Sequence, residues 1–147
     1  FREPSVPISP EITSLTGITN EEVARDGLSF PEAYKRFLQF TQGLPTVCYG
    51  WDAGVMRENL DFNDLPCTAD DFDSFSIRPW FQQEGIPYGI KGCVNSGKLA
   101  AVLGAPMNSI QEHNALHDVR SIAAAYRFLI QKGVKSPFLP TSARSAL

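Results

Sequence analysis

The sequence predicts an α/β domain, a sheet flanked by helices and missing its first strands. Three observations lead there. Thr46-Val47-Cys48-Tyr49 is a short β-branched and aromatic run bounded by Pro45 and Gly50, the pattern of a strand. Apolar residues recur at helical spacing over residues 29–42 and 114–132. One clear strand is too few to cover helices of that size, so the sheet needs strands from elsewhere. The 147 residues suit one domain, which can bury roughly 70% of its unfolded surface. That domain is expected over residues 1–136, with a peripheral tail over 137–147.

Taken in order, residues 1–19 read as an extended lead-in, because Pro4, Pro7 and Pro10 disfavour a helix. Thr19-Asn-Glu-Glu22 opens a short helix that Asp26-Gly27 ends. The helix over 29–42 has Pro31 in its first turn, an apolar stripe through Tyr34, Phe37, Leu38 and Phe40, and Gly43 as its stop. Residues 52–60 turn back into helix, and 61–96 read as loop. Residues 98–103 make one or two helical turns stopped by Gly104-Ala-Pro106. In the last helix Val119, Ile122, Ala123, Tyr126, Leu129 and Ile130 form the expected buried face, and Gly133 ends it.

Composition narrows the function. With 43% hydrophobic and 20% charged residues the chain is neither a disordered tail nor a polyampholyte. No apolar run reaches the ~20 residues that cross a bilayer. A net charge of −3 will not hold a long polyanion by bulk attraction, so a nucleic acid would need a local patch or bound metal ions. Cys48, Cys67 and Cys93 are odd in number and lack Cys-x-x-Cys spacing. That argues against a disulfide framework and suits a reducing cytoplasm.

Two places can carry chemistry. Tyr49-Gly-Trp-Asp52 delivers an acid at the C-terminal edge of a strand, where open α/β sheets build their sites. Glu112-His-Asn-Ala-Leu-His-Asp118 sets two imidazoles and an acid at the start of a long helix. The commoner roles are plainer: a helix cap for Asp52, a surface or capping role for the histidines. His113 and His117 have the four-residue spacing of a zinc pair, but a third ligand such as Cys93 would have to join them. For the acidic run Asp70-Asp-Phe-Asp73 a solvated face is preferred over a metal site. Tyr49, Trp51, Trp80 and Phe81 can stack on bases, although a core role is preferred for each. Lys91, Lys98, Arg120 and Arg127 can meet phosphates, with solvent as the default.

A resemblance sharpens these readings. His113-Asn-Ala-Leu-His-Asp118, followed by Val-Arg-Ser-Ile-Ala, resembles the last motif of the DEDDh 3′–5′ exonucleases. These are the RNase T, oligoribonuclease and proofreading-subunit relatives of the RNase H-like superfamily. Leu15-Thr-Gly-Ile-Thr19 is similar to a stretch that family members carry after their first strands, and residues 30–40 to the helix that follows. Gly50-Trp-Asp52 resembles their middle motif, and Lys98-Leu-Ala-Ala-Val-Leu-Gly104 the segment before the last. Five pieces in order cover about residues 1–132.

The resemblance implies an RNase H-like mixed sheet flanked by helices and a metal-dependent exonuclease. Such an enzyme acts at the 3′ end of RNA or single-stranded DNA and releases nucleoside 5′-monophosphates. Asp52 and Asp118 would be metal ligands for Mg2+ or Mn2+, two ions in the complete site, and His113 the general base. Leu15, Thr16, Trp51 and the flanking His117 would contact substrate. Hard oxygen ligands suit magnesium, and an imidazole with a pKa of about 6.5 can take a proton at neutral pH. The family's first motif, Asp-x-Glu, occurs nowhere in the 147 residues. Three expectations follow: a fragment of a longer enzyme, an inactive nuclease-like module that binds nucleic acid or protein, or a sheet completed by a partner chain or second copy.

Overall fold

The computed structural model describes residues 6–66, 74–86, 94–107 and 114–138. It is a mixed helix and strand protein whose contacts gather into two compact units, Phe1–Ser76 and Ile77–Leu147.

The first unit begins with a helix where an extended lead-in was expected. Helix α1 spans Pro10–Thr16, with Ser9 as N-cap accepting from the Ile12 amide. Pro10 does not break it, because at the first helical position the missing amide had no partner to lose. The Ser9 hydroxyl, then Glu11's own amide, hold the Glu11 carboxyl below its ordinary pKa. Gly17, at φ 76°, closes the helix in the left-handed region.

Helix α2 (Asn20–Asp26) starts in a reciprocal cap. The Glu22 amide donates to Thr19 Oγ1 at 3.2 Å and the Thr19 amide to Glu22 Oε2 at 2.9 Å. The Asn20 side chain accepts from the Ile8 amide and donates to the Ile8 carbonyl, tying the lead-in to α2. Helix α3 (Phe30–Thr41) follows Ser29, whose amide and hydroxyl both donate to Glu32 Oε2. Its end comes one residue before the expected glycine, with Gln42 in the left-handed region at φ 51°.

Strand β1 (Thr46–Cys48) leads into helix α4 (Asp52–Phe62) and then strand β2 (Ser74–Ser76). The strands are parallel, with Thr46 beside Ser74, Val47 beside Phe75 and Cys48 beside Ser76. A parallel pair needs such a crossover. Phe30, Tyr34 and Leu60 are buried together, with Phe37, Leu38, Met56 and Leu65 packed against them. The Phe30 and Tyr34 rings stack at 6.0 Å. The acidic run over 70–73 and Cys67 lie outside the described residues.

The second unit opens on helix α5 (Arg78–Gln83), within a stretch expected to be loop. Pro79 again falls in a first turn, where it is tolerated. Trp80 and Phe81 are in the core, as preferred from sequence. A 3-10 turn over Ser96–Lys98 runs into helix α6 (Leu99–Leu103), ended by left-handed Gly104. Helix α7 (Ala115–Gln131) is capped by Asn114, whose Oδ1 accepts from the amides of Leu116 and His117.

The buried face of α7 only partly matches the one apolar periodicity selects: Leu129 is buried as expected and Ile122, Ala123, Tyr126 and Ile130 are half-buried. His117, Ser121, Ala125 and Leu129 are buried, and Val119 is 61% exposed. The cause is the close packing of α7 on α6 and the 3-10 turn. Small residues let the backbones approach, and the Ala100 amide, buried at the start of α6, donates to Ser121 Oγ at 3.1 Å. At the far end the Trp80 indole donates to the Lys135 carbonyl, and the Phe138 ring lies 5.5 Å from Tyr126. The first two residues of the expected tail therefore pack rather than hang free; 139–147 lie outside the described residues.

Ser121→Ala leaves the buried Ala100 amide without its acceptor and is expected to cost about 1–3 kcal/mol. Val119→Ala is expected to stay within about 0.5 kcal/mol. Urea unfolding of the two variants measures the difference; the reverse order would place Val119, not Ser121, in the interface.

Candidate functional site

The acid expected at the end of the strand sits where the sequence put it. The chain leaves β1 through Tyr49, Gly50 and Trp51, and Asp52 is the first residue of α4. Its Oδ2 accepts from the Gly50 amide at 3.2 Å, so an exposed carboxylate straps the turn that precedes its own helix. The turn conformation explains this. An acid in a first helical turn faces unpaired amides and the positive helix end.

Trp51 departs from the preferred core role: it is 68% exposed. Its indole lies over Gly54, where a Cβ would fall 2.5 Å from both Cζ2 and Nε1. Any larger residue at 54 would lift the ring. One face of the indole therefore rests on α4 and the other is open. Leu15 is exposed at the end of α1. The Thr16 hydroxyl beside it donates to the Ile12 carbonyl at 2.8 Å and accepts from the Ile18 amide at 3.2 Å, so it is committed to the local backbone.

In the second unit, α7 and the 3-10 turn before α6 bring several polar groups together. His117 is 5% exposed, with Nε2 3.2 Å from the Gly97 carbonyl. A carbonyl only accepts, so Nε2 carries the hydrogen of that bond. Asp118, next in the first turn of α7, accepts from Ser96 Oγ at 3.1 Å through Oδ2. Its Oδ1 is buried with no hydrogen-bond partner among the described residues. A Cβ on Gly97 would lie 2.6 Å from that oxygen and 3.4 Å from His117 Cδ2.

A buried carboxylate oxygen without a partner is costly unless something positive meets it. The helix N-terminus supplies part of that field. The donor chemistry of Asp118, a hard anionic oxygen in a cradle that a Cβ would fill, suits a divalent cation. Among the described residues no group of three or more His, Cys, Asp or Glu is gathered to hold a metal ion. His113, Cys93 and Lys91 lie outside the described residues. Lys98, Arg120 and Arg127 are exposed.

Sequence reasoning singled out Asp52, Asp118, Trp51 and His117 but passed over Ser96, Gly97 and Gly54. Nothing in their spacing marks them; they are visible only once α7 is set against the turn and the indole against α4. No described helix is long and apolar enough to cross a membrane.

Trp80 is 7% exposed and hydrogen-bonded, so acrylamide is expected to quench Trp51 fluorescence and largely spare Trp80. Trp51→Phe should remove the quenchable component, and Gly54→Ala should shift its emission. A quenchable component that survives Trp51→Phe would contradict the exposed indole. No family model matches the chain, and no curated protein matches it.

Proposed function

We propose that the chain has an RNase H-like fold and serves metal-dependent 3′–5′ exonucleolytic hydrolysis of RNA or single-stranded DNA, in the cytoplasm. The observation that carries the reading is the buried, unpartnered oxygen of Asp118 in the first turn of α7, within the segment that resembles the last DEDDh motif. The position of Asp52 at the head of α4, after a parallel strand, supports it further. Asp52 and Asp118 would hold Mg2+ or Mn2+. The chemistry such ions supply when bound is charge neutralisation at the scissile phosphate and a more acidic water. His113 would take up the water's proton, and Trp51 and Leu15 would meet the strand at its 3′ end.

A second reading has its own observation: the 147 residues contain no Asp-x-Glu, the pair of acids that would complete a two-ion site. Two carboxylates do not neutralise two divalent ions. On that reading the chain is an inactive nuclease-like module that binds nucleic acid or protein.

With Mn2+ and a 5′-labelled single strand, the 147-residue chain is expected to trim little or nothing. A longer polypeptide with Asp-x-Glu ahead of Phe1 is expected to trim from the 3′ end until chelator is added. In that polypeptide His113→Ala should lower the rate by about 100-fold or more, the usual scale of general-base catalysis. A full rate after His113→Ala removes the base assignment. Binding without trimming, with the acids restored, supports the inactive module instead.

A further inference from the structure

We propose that Ser96 and Gly97 are positioning residues for the Asp118 carboxylate, together aiming Oδ1 at a divalent cation. The proposal rests on the reading of Asp118 as a cation ligand and adds how the chain prepares that ligand.

The two oxygens of Asp118 are treated differently by one short turn. Ser96 Oγ donates to Oδ2 at 3.1 Å, which fixes the rotation of the carboxylate and leaves Oδ1 facing Gly97. Gly97 is buried, and its hydrogen in place of a side chain is what keeps Oδ1 where it is, since a Cβ there would approach within 2.6 Å. The restriction is one of space and not of backbone: Gly97 does not have the positive φ that favours glycine elsewhere in the chain.

The turn is itself held rigidly. Asn95 Oδ1 accepts from the Lys98 amide at 3.0 Å, capping it from below. Its Gly97 carbonyl faces His117 Nε2 at 3.2 Å, and the Ala100 amide one turn on donates to Ser121. Asp118 is thus flanked on α7 by two residues, His117 and Ser121, that bind the same segment from either side. A carboxylate oriented by a hydrogen bond on one oxygen, with the other left bare, is the arrangement by which outer partners tune a metal ligand. Packing alone would not require that a buried oxygen stay unpaired.

Manganese binding, followed by the loss of free-ion electron paramagnetic resonance signal, separates the possibilities on the 147-residue chain. Circular dichroism and thermal melting report folding alongside. Ser96→Ala is expected to weaken Mn2+ binding by about 10- to 100-fold, the range for outer partners of metal ligands. Ser96→Thr, which keeps the hydroxyl, should restore it. Gly97→Ala should weaken binding at least as much, with Ser96→Ala deciding the matter if Gly97→Ala does not fold. Wild-type affinity in Ser96→Ala and Gly97→Ala, while Asp118→Asn has lost binding, overturns the positioning role alone. Undiminished binding in Asp118→Asn, or none by the wild-type chain, overturns the ligand reading and this proposal with it.

Discussion

A buried amide or carboxylate must find a partner, and that constraint organises the second unit. Helix α7 approaches α6 and the preceding turn so closely that water is excluded, and the backbone groups trapped there need side chains to pair with. Ser121 takes the Ala100 amide and His117 meets the Gly97 carbonyl. Each pairing avoids the roughly 1–3 kcal/mol that an orphaned buried group costs. Polar residues are therefore structural in this interface. Among the described residues of this interface, Asp118 Oδ1 is buried without a hydrogen-bond partner.

The helices that announce themselves in the sequence do so through their ends. Thr19, Ser29 and Asn114 each precede a helix and each uses its side chain or its partner's to satisfy free amides, so the boundaries were legible. Helix α1 was hidden because Pro10 read as a breaker, and α5 because it lies in a stretch read as loop, although Pro10 and Pro79 each fall in a first turn, where a proline breaks nothing. Strand β2 carries Ser-Phe-Ser, which has no strand character of its own and is extended because β1 lies beside it. The buried face of α7 was read only in part, for a related reason: Leu129 was found, but His117, Ser121 and Ala125 were not. Periodicity counts apolar residues, and this helix buries a histidine and a serine while leaving Val119 in solvent.

The site was legible to a similar depth. Asp52 and Asp118 were singled out as candidates because an acid after a strand and an acid opening a helix are patterns with physical meaning. Their immediate supports were not, because Ser96, Gly97 and Gly54 matter through what lies across from them. Aromatic rank failed at Trp51 for the same reason. Burial is a property of the neighbour as much as of the ring, and the neighbour here is a glycine whose bare surface accepts only one face of an indole.

The parallel pairing of β1 with β2 also has a consequence for stability. Helices α1, α2 and α3 close over a few residues each, with their caps nearby in sequence. The two strands can meet only after α4 and the segment beyond it have brought Ser74 back to Thr46. That closure is non-local and yields three residue pairs, so the ladder draws its stability from the helices packed around it more than from its own length. The turn that presents Trp51 and Asp52 hangs from the end of that ladder, so its anchorage is long-range on one side and helical on the other.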